Sequence, residues 1–174
     1  VQGNLNNFVG EFDVGVAIHS CGTLADLIID KCIGSRADLI VSPCCYGSIK
    51  QLDSSNSSSL NDDDDDDDQQ LIVKYPRSAL VEQALAVYSR EQGLTADNNG
   101  SPLDLYYLLT NFADRTEKSL VYEETGHACM SLLDSDRLLY LRENKYAFVQ
   151  LSKMQPNECT TKNNLLLAKY SNIK

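Results

Sequence analysis

The 174-residue chain has no tryptophan, only four prolines and no apolar run near the ~20 residues of a membrane-crossing helix. That leaves no reading as a membrane protein. Lys and Arg number 15 against 25 Asp and Glu, and they form no block. The basic footprint of a nucleic-acid-binding domain is therefore missing. The opening residues lack a basic start followed by a long apolar stretch, so no secretory signal is read there. Cysteine is too sparse for a disulfide scaffold: the six are Cys21, Cys32, Cys44, Cys45, Cys129 and Cys159, about 3% of the chain against the ~8–10% such scaffolds show. No two of them stand as C-x-x-C, so a structural zinc motif has no spacing support. A reducing, cytoplasmic compartment follows. Gly-rich phosphate-binding turns of the G-x-G-x-x-G or G-x-x-x-x-G-K-[ST] type are absent as well.

What is abundant is acid, and it is concentrated. Asp62 to Asp68 are consecutive, and without them the net charge of -10 becomes -3. Together with Asp53 to Ser59, a polar stretch of aspartate, serine and asparagine, this tract has no apolar area to bury. Residues 51–70 are expected to be a disordered acidic insertion, either a solvated spacer or a contact for basic partners.

The framework around it reads as α/β. Asp13 to Ile18 and Asp38 to Ser42 are short, nearly continuous apolar runs, the pattern of strands buried on both faces of a parallel sheet. Between them Ala25, Ile28, Ile29 and Cys32 make a helical stripe, with Thr23 placed as N-cap, Asp26 as a first-turn acid and Gly34 as the stop. Strand, helix and strand form a βαβ unit. Further on, Val81, Ala84, Leu85 and Tyr88 predict a helix ending at Gly93. Ser101, Pro102 and Asp104 predict the start of another, carrying Leu105, Leu108, Leu109 and Phe112. Cys129 to Glu143 predicts a third, with His127 in the loop before it. Tyr146–Leu151 and Asn164–Tyr170 predict a terminal antiparallel hairpin. The expected architecture is a mixed, mostly parallel sheet closed by that hairpin. Two strands of a parallel unit make a thin sheet, and the chain opens on Val1, so it reads as the C-terminal part of a larger domain.

Ligands of open parallel sheets bind beyond the carboxyl ends of the strands. This rule selects His19-Ser20-Cys21-Gly22 and Ser42-Pro43-Cys44-Cys45-Tyr46-Gly47. His19 could act as a base, Cys44 or Cys45 as a nucleophile, and Tyr46 could stack on a ring or donate a hydrogen bond. His19, Cys21, Cys44 and Cys45 also compose a soft four-ligand set, but no spacing supports assigning a metal. Each has a plainer reading: a cysteine packs as a small hydrophobe, and a histidine at a strand end bonds to backbone. Cys32 and Cys129 fall in helical stripes and are expected in the core.

These motifs resemble a known family. Phe12 to Gly22, Ala25-Asp26 and Ser42 to Gly47, with Phe112 to Thr116, Asp134 to Arg137 and Pro156 to Asn164, are similar to the methyltransferase domain of glutathione S-transferase C-terminal domain-containing proteins. The resemblance covers most of the chain outside the acidic tract. It implies the C-terminal part of a Rossmann-like class I methyltransferase fold, with S-adenosyl-L-methionine as cofactor and RNA as one candidate methyl acceptor. His19, Ser20, Cys21 and Gly22 would lie beside the methyl group, while His19, Cys44, Cys45 and Tyr46 would serve the acceptor. A degenerate scaffold of the same fold and a Cys/His metal-binding domain are the alternatives.

Overall fold

A computed structural model describes residues 4–49, 73–95, 100–117 and 121–171. The predicted acidic insertion lies outside the described residues. The elements run β1 (Val14–Cys21), α1 (Leu24–Ser35), β2 (Asp38–Cys44), α2 (Ala79–Glu91), α3 (Pro102–Ala113), α4 (Glu123–Glu143), β3 (Tyr146–Lys153) and β4 (Asn164–Tyr170), with short 3-10 turns at Leu5–Asn7 and Asn157–Cys159. No helix among the described residues is long and apolar enough to cross a membrane.

The four strands form one sheet in the order β1-β2-β4-β3. β1 and β2 are parallel, as the βαβ pattern predicts, with Val16 beside Ile40 and Ala17 beside Val41. The terminal hairpin also forms as expected, and it inserts β4 between β2 and β3 so that both of its pairings are antiparallel. Only one of the three pairings among the described strands is parallel, which corrects the expectation of a mostly parallel sheet. The physical reason is that β2 receives the returning arm of a hairpin on its second edge rather than the end of another crossover.

One face of the sheet is packed. Leu39 and Val41 of β2 and Leu166 and Ala168 of β4 meet Ala25, Ile29 and Cys32 of α1 and Leu141 of α4. Each fully buried aliphatic side chain here contributes roughly 1.5–3 kcal/mol. The other face is open. Val14, Val16 and Ile18 are 48%, 63% and 66% exposed, and the register sets the 39%-exposed Ile40 next to Val16. The apolar run of β1 is thus covered on one face only. A continuous run cannot distinguish a strand buried on both faces from one whose second face has no cover among the described residues.

Local signals explain most helix ends. Ser101 and Asp104 make the predicted capping box, with Pro102 at the first helical position. Thr23 stands at the N-cap of α1 but its side chain makes no cap bond, and the helix passes Gly34 to stop at left-handed Arg36. α4 begins six residues before the expected start and takes in Gly126 and His127. Gly126 is there for packing: a Cβ would lie 2.2 Å from the Arg115 carbonyl oxygen. The predicted α2 stripe is only partly covered, with Val81 and Leu85 half-buried and Ala84 and Tyr88 exposed.

Candidate functional site

The parallel pair β1–β2 delivers its two predicted loops to one sheet edge, and an irregularity in β1 decides which side chains meet there. The register runs evenly to Ile18 opposite Ser42, then shifts so that Ser20 faces Pro43 and Cys21 faces Cys44. His19 is the extra residue, left-handed at φ 58. Without this bulge Ser20 would face Cys44, and Cys21 would point to the other side of the sheet. The bulge therefore turns a sequence offset into a sulfur–sulfur contact: Cys21 Sγ lies 3.0 Å from Cys44 Sγ and 3.4 Å from Cys45 Sγ.

The second loop is bent to match. Successive strand residues point to opposite faces, so Cys44 and Cys45 would normally diverge. Cys45 is left-handed at φ 44, which turns the chain back and gathers all three sulfurs within 4.8 Å. A non-glycine residue in this region costs about 1–3 kcal/mol and persists only where its surroundings hold it. The holder is Asp114, which follows α3: its carboxylate accepts the Tyr46 and Gly47 N–H groups at 2.9 Å each. Gly47 is required for this approach, since a Cβ there would lie 2.7 Å from Asp114 Oδ2. Lys162 pairs with the same carboxylate.

The thiols are unequal. Cys44 is buried, Cys45 half-buried and Cys21 exposed. Burial, then the thiol contacts with Cys21 and Cys45, push Cys44 up. The Cys21 contact raises Cys45, while the nearby Lys162 ammonium pulls it the other way. The three side chains are linked by S–H···S contacts, Cys21 with Cys44 and Cys21 with Cys45. The Ser20 hydroxyl, 1% exposed beside them, has no hydrogen-bond partner among the described residues.

The other predicted residues separate. His19 is brought to the edge but faces solvent, outside the thiol group. Tyr46 is fully buried, and its hydroxyl donates to Asp134 at 2.7 Å, so no ring face is open for stacking. Cys32 and Cys129 are core residues, as expected.

Beneath the loops lies a polar cluster that the sequence did not announce. Arg137 forks onto Asp26 at 3.0 and 2.8 Å and reaches Asp134 at 2.9 Å. Tyr75 donates to Asp26 at 2.8 Å, and Asn164 to Asp134 at 2.6 Å. Asp136 accepts the Arg77 and Ser78 N–H groups, the Ser78 hydroxyl and the Tyr106 hydroxyl. All three carboxylates are fully buried. Asp26 is thus far more than a first-turn acid. Burial alone would raise its pKa, but Arg137, Arg77 and Tyr75 outweigh that and hold it below the usual range. Asp134, with one guanidinium contact, is left raised by burial. The signals available were an aspartate inside the buried Ala25–Ile29–Cys32 stripe and the i,i+3 spacing of Asp134 and Arg137.

Comparison with known proteins sets this site in context. The chain is 32% identical over 169 residues to the Glutathione S-transferase C-terminal domain-containing protein of Xenopus laevis, covering 96% of this chain and 22% of that protein. The Homo sapiens protein of the same name is 31% identical over 96% of the chain and 21% of its own length. The Drosophila melanogaster homolog is 28% identical over 97% and 24%. The chain spans about a fifth of the length of the curated relatives it matches. No protein-family model and no solved structure matches it.

The resemblance to proteins of that name therefore holds, but the activity read into it does not. The relatives' names speak of a glutathione S-transferase C-terminal domain, and none speaks of a methyltransferase. The expectation of an S-adenosylmethionine-dependent methyltransferase, possibly acting on RNA, is corrected on that finding. In the His19–Gly22 loop, His19 faces solvent, Ser20 is buried and Cys21 lies against two other thiols. The roles expected of His19, Cys44, Cys45 and Tyr46 were roles in that activity.

Proposed function

We propose that this chain is a docking module: the C-terminal part of a larger Rossmann-like sheet, which seats the remainder of that sheet and its covering helices along β1. The occupant is other polypeptide of the same protein, in a molecule of the relatives' length. The observation that carries the reading is the row of Val14, Val16 and Ile18 on an edge strand, 48% to 66% exposed and continued across the sheet by Ile40. Apolar patches of this kind mark interaction surfaces, and an uncapped strand edge is a template for further pairing. Further strands beside β1 and a helix over its open face would satisfy both. The six free thiols are consistent with a reducing compartment, which we propose as the working environment.

Amide hydrogen exchange tests this. The outward-facing N–H groups of β1 should exchange freely in residues 1–174 and be protected in the full-length polypeptide. Equal exchange in both would remove the reading.

A further inference from the structure

We propose that Cys21, Cys44 and Cys45 form a binding site for a thiophilic divalent cation of the zinc type, held by three thiolates with one coordination position left open. The inference does not depend on the docking reading, because every ligand lies within the described β1–β2 edge.

Distance is the first argument. Tetrahedral zinc with Zn–S bonds of ≈ 2.3 Å needs sulfurs about 3.8 Å apart. The pairs at 3.0 and 3.4 Å, with all three sulfurs inside 4.8 Å, need adjustments below about 1 Å, within side-chain rotation. The second argument is that two separate backbone distortions are required to assemble this trio. The His19 bulge brings Cys21 opposite Cys44, and left-handed Cys45 turns back toward them. Three small hydrophobes packed for their own sake need neither. Asp114, through the Tyr46 and Gly47 amides, holds the second distortion from outside the ligand set. An outer shell of this kind fixes ligand orientation in metal sites.

Charge and exposure set the ion and the open position. A divalent cation offsets two of the three thiolate charges. Thiolate ligands select zinc-like ions over magnesium. Exposed Cys21 leaves that side of the cluster toward solvent, where a water or an added ligand completes the coordination. The site differs from the His19-containing set that the sequence suggested, because His19 stands apart from the sulfurs.

The test is a titration of the reduced, chelator-stripped chain with Zn²⁺ against a chromophoric competitor, and with Co²⁺ as the spectroscopic probe. The expected result is one ion per chain, a thiolate-to-cobalt charge-transfer band in the near ultraviolet and no response to Mg²⁺. Cys21→Ser and Cys45→Ser should each weaken zinc binding roughly a hundredfold, the upper end of what losing even an outer-shell partner costs. Cys159→Ser, which removes an exposed cysteine elsewhere, should leave affinity unchanged. Circular dichroism of each variant confirms folding. The proposal is overturned if the folded protein binds no stoichiometric ion, if Cys21→Ser and Cys45→Ser bind as the parent does, or if Cys159→Ser weakens binding as much. It is also overturned if Cys21 and Cys44 are found as a disulfide that persists under reducing conditions.

Discussion

Two polar clusters lie close together in this molecule and are built on opposite rules. The carboxylate cluster of Asp26, Asp134 and Asp136 is fully buried, and arginines, tyrosines, amides and a serine answer its oxygens. The thiol cluster of Cys21, Cys44 and Cys45 is graded from buried to exposed, and its members bond chiefly to one another. A closed cluster whose carboxylate oxygens are all answered holds structure. A cluster whose donors are satisfied chiefly by each other can exchange those contacts for an ion. Tyr46 and Asp114 join the two, one anchoring its loop downward to Asp134 and the other fixing the loop's backbone.

The largest effect that would sharpen this contrast is expected from Arg137→Met. It leaves Asp26 and Asp134 buried without their shared guanidinium, and should cost about 3–5 kcal/mol of stability in urea unfolding. A loss below about 1 kcal/mol would mean that water reaches the cluster and that it is not closed. The same cluster carries an acid limb. Asp26 has a depressed folded pKa, so its contribution is complete above the unfolded value of about 3.9 and is lost as pH falls through the folded value. Unfolding midpoints measured from pH 5 downward should fall steeply in the parent and more gently in Asp26→Asn, which begins from a less stable state. Zinc supplies the corresponding effect at the open cluster: at a free concentration a hundred times its dissociation constant it should stabilise the parent by about 2.7 kcal/mol and Cys21→Ser much less.

Smaller effects follow. Tyr46→Phe should cost about 1–2 kcal/mol, since Asp134 keeps Asn164 and Arg137 as partners. Asp114→Asn should cost about 1 kcal/mol of stability and, by loosening the turn at Cys45, weaken zinc binding about 10- to 100-fold. In the metal-free chain Cys21→Ser should change stability by no more than about 0.5 kcal/mol, the size of a surface substitution. Val16→Glu on the open face should do the same in residues 1–174, because that side chain has nothing to lose there.

The sequence carried the local half of this architecture. The βαβ unit, the Ser101–Asp104 capping box and the hairpin all follow from periodicity, caps and turns, which act over a few residues. Gathering the strand-end cysteines onto one edge was legible for the same reason. Three features were not. The cover on β1 depends on what lies across space, so a continuous apolar run reads alike whether one face or two are buried. The His19 bulge arises from how two strands pair, and no single-strand pattern encodes it. The carboxylate cluster joins Asp26 to Arg137 across 111 positions, with only Asp134 and Arg137 close enough on one helix to suggest a pair. The family resemblance was legible too, but the activity attached to it went beyond what the relatives' names support.

The most direct test of the central contrast is the rate of thiol alkylation in the native chain, followed cysteine by cysteine by mass spectrometry with and without Zn²⁺. Without metal, Cys21 and Cys45 should react alongside exposed Cys159, while Cys32 and Cys129 should react only on unfolding. One equivalent of zinc should then protect Cys21 and Cys45 and leave Cys159 unchanged. Unchanged rates at Cys21 and Cys45 on adding zinc, or equal protection of Cys159, would contradict the account.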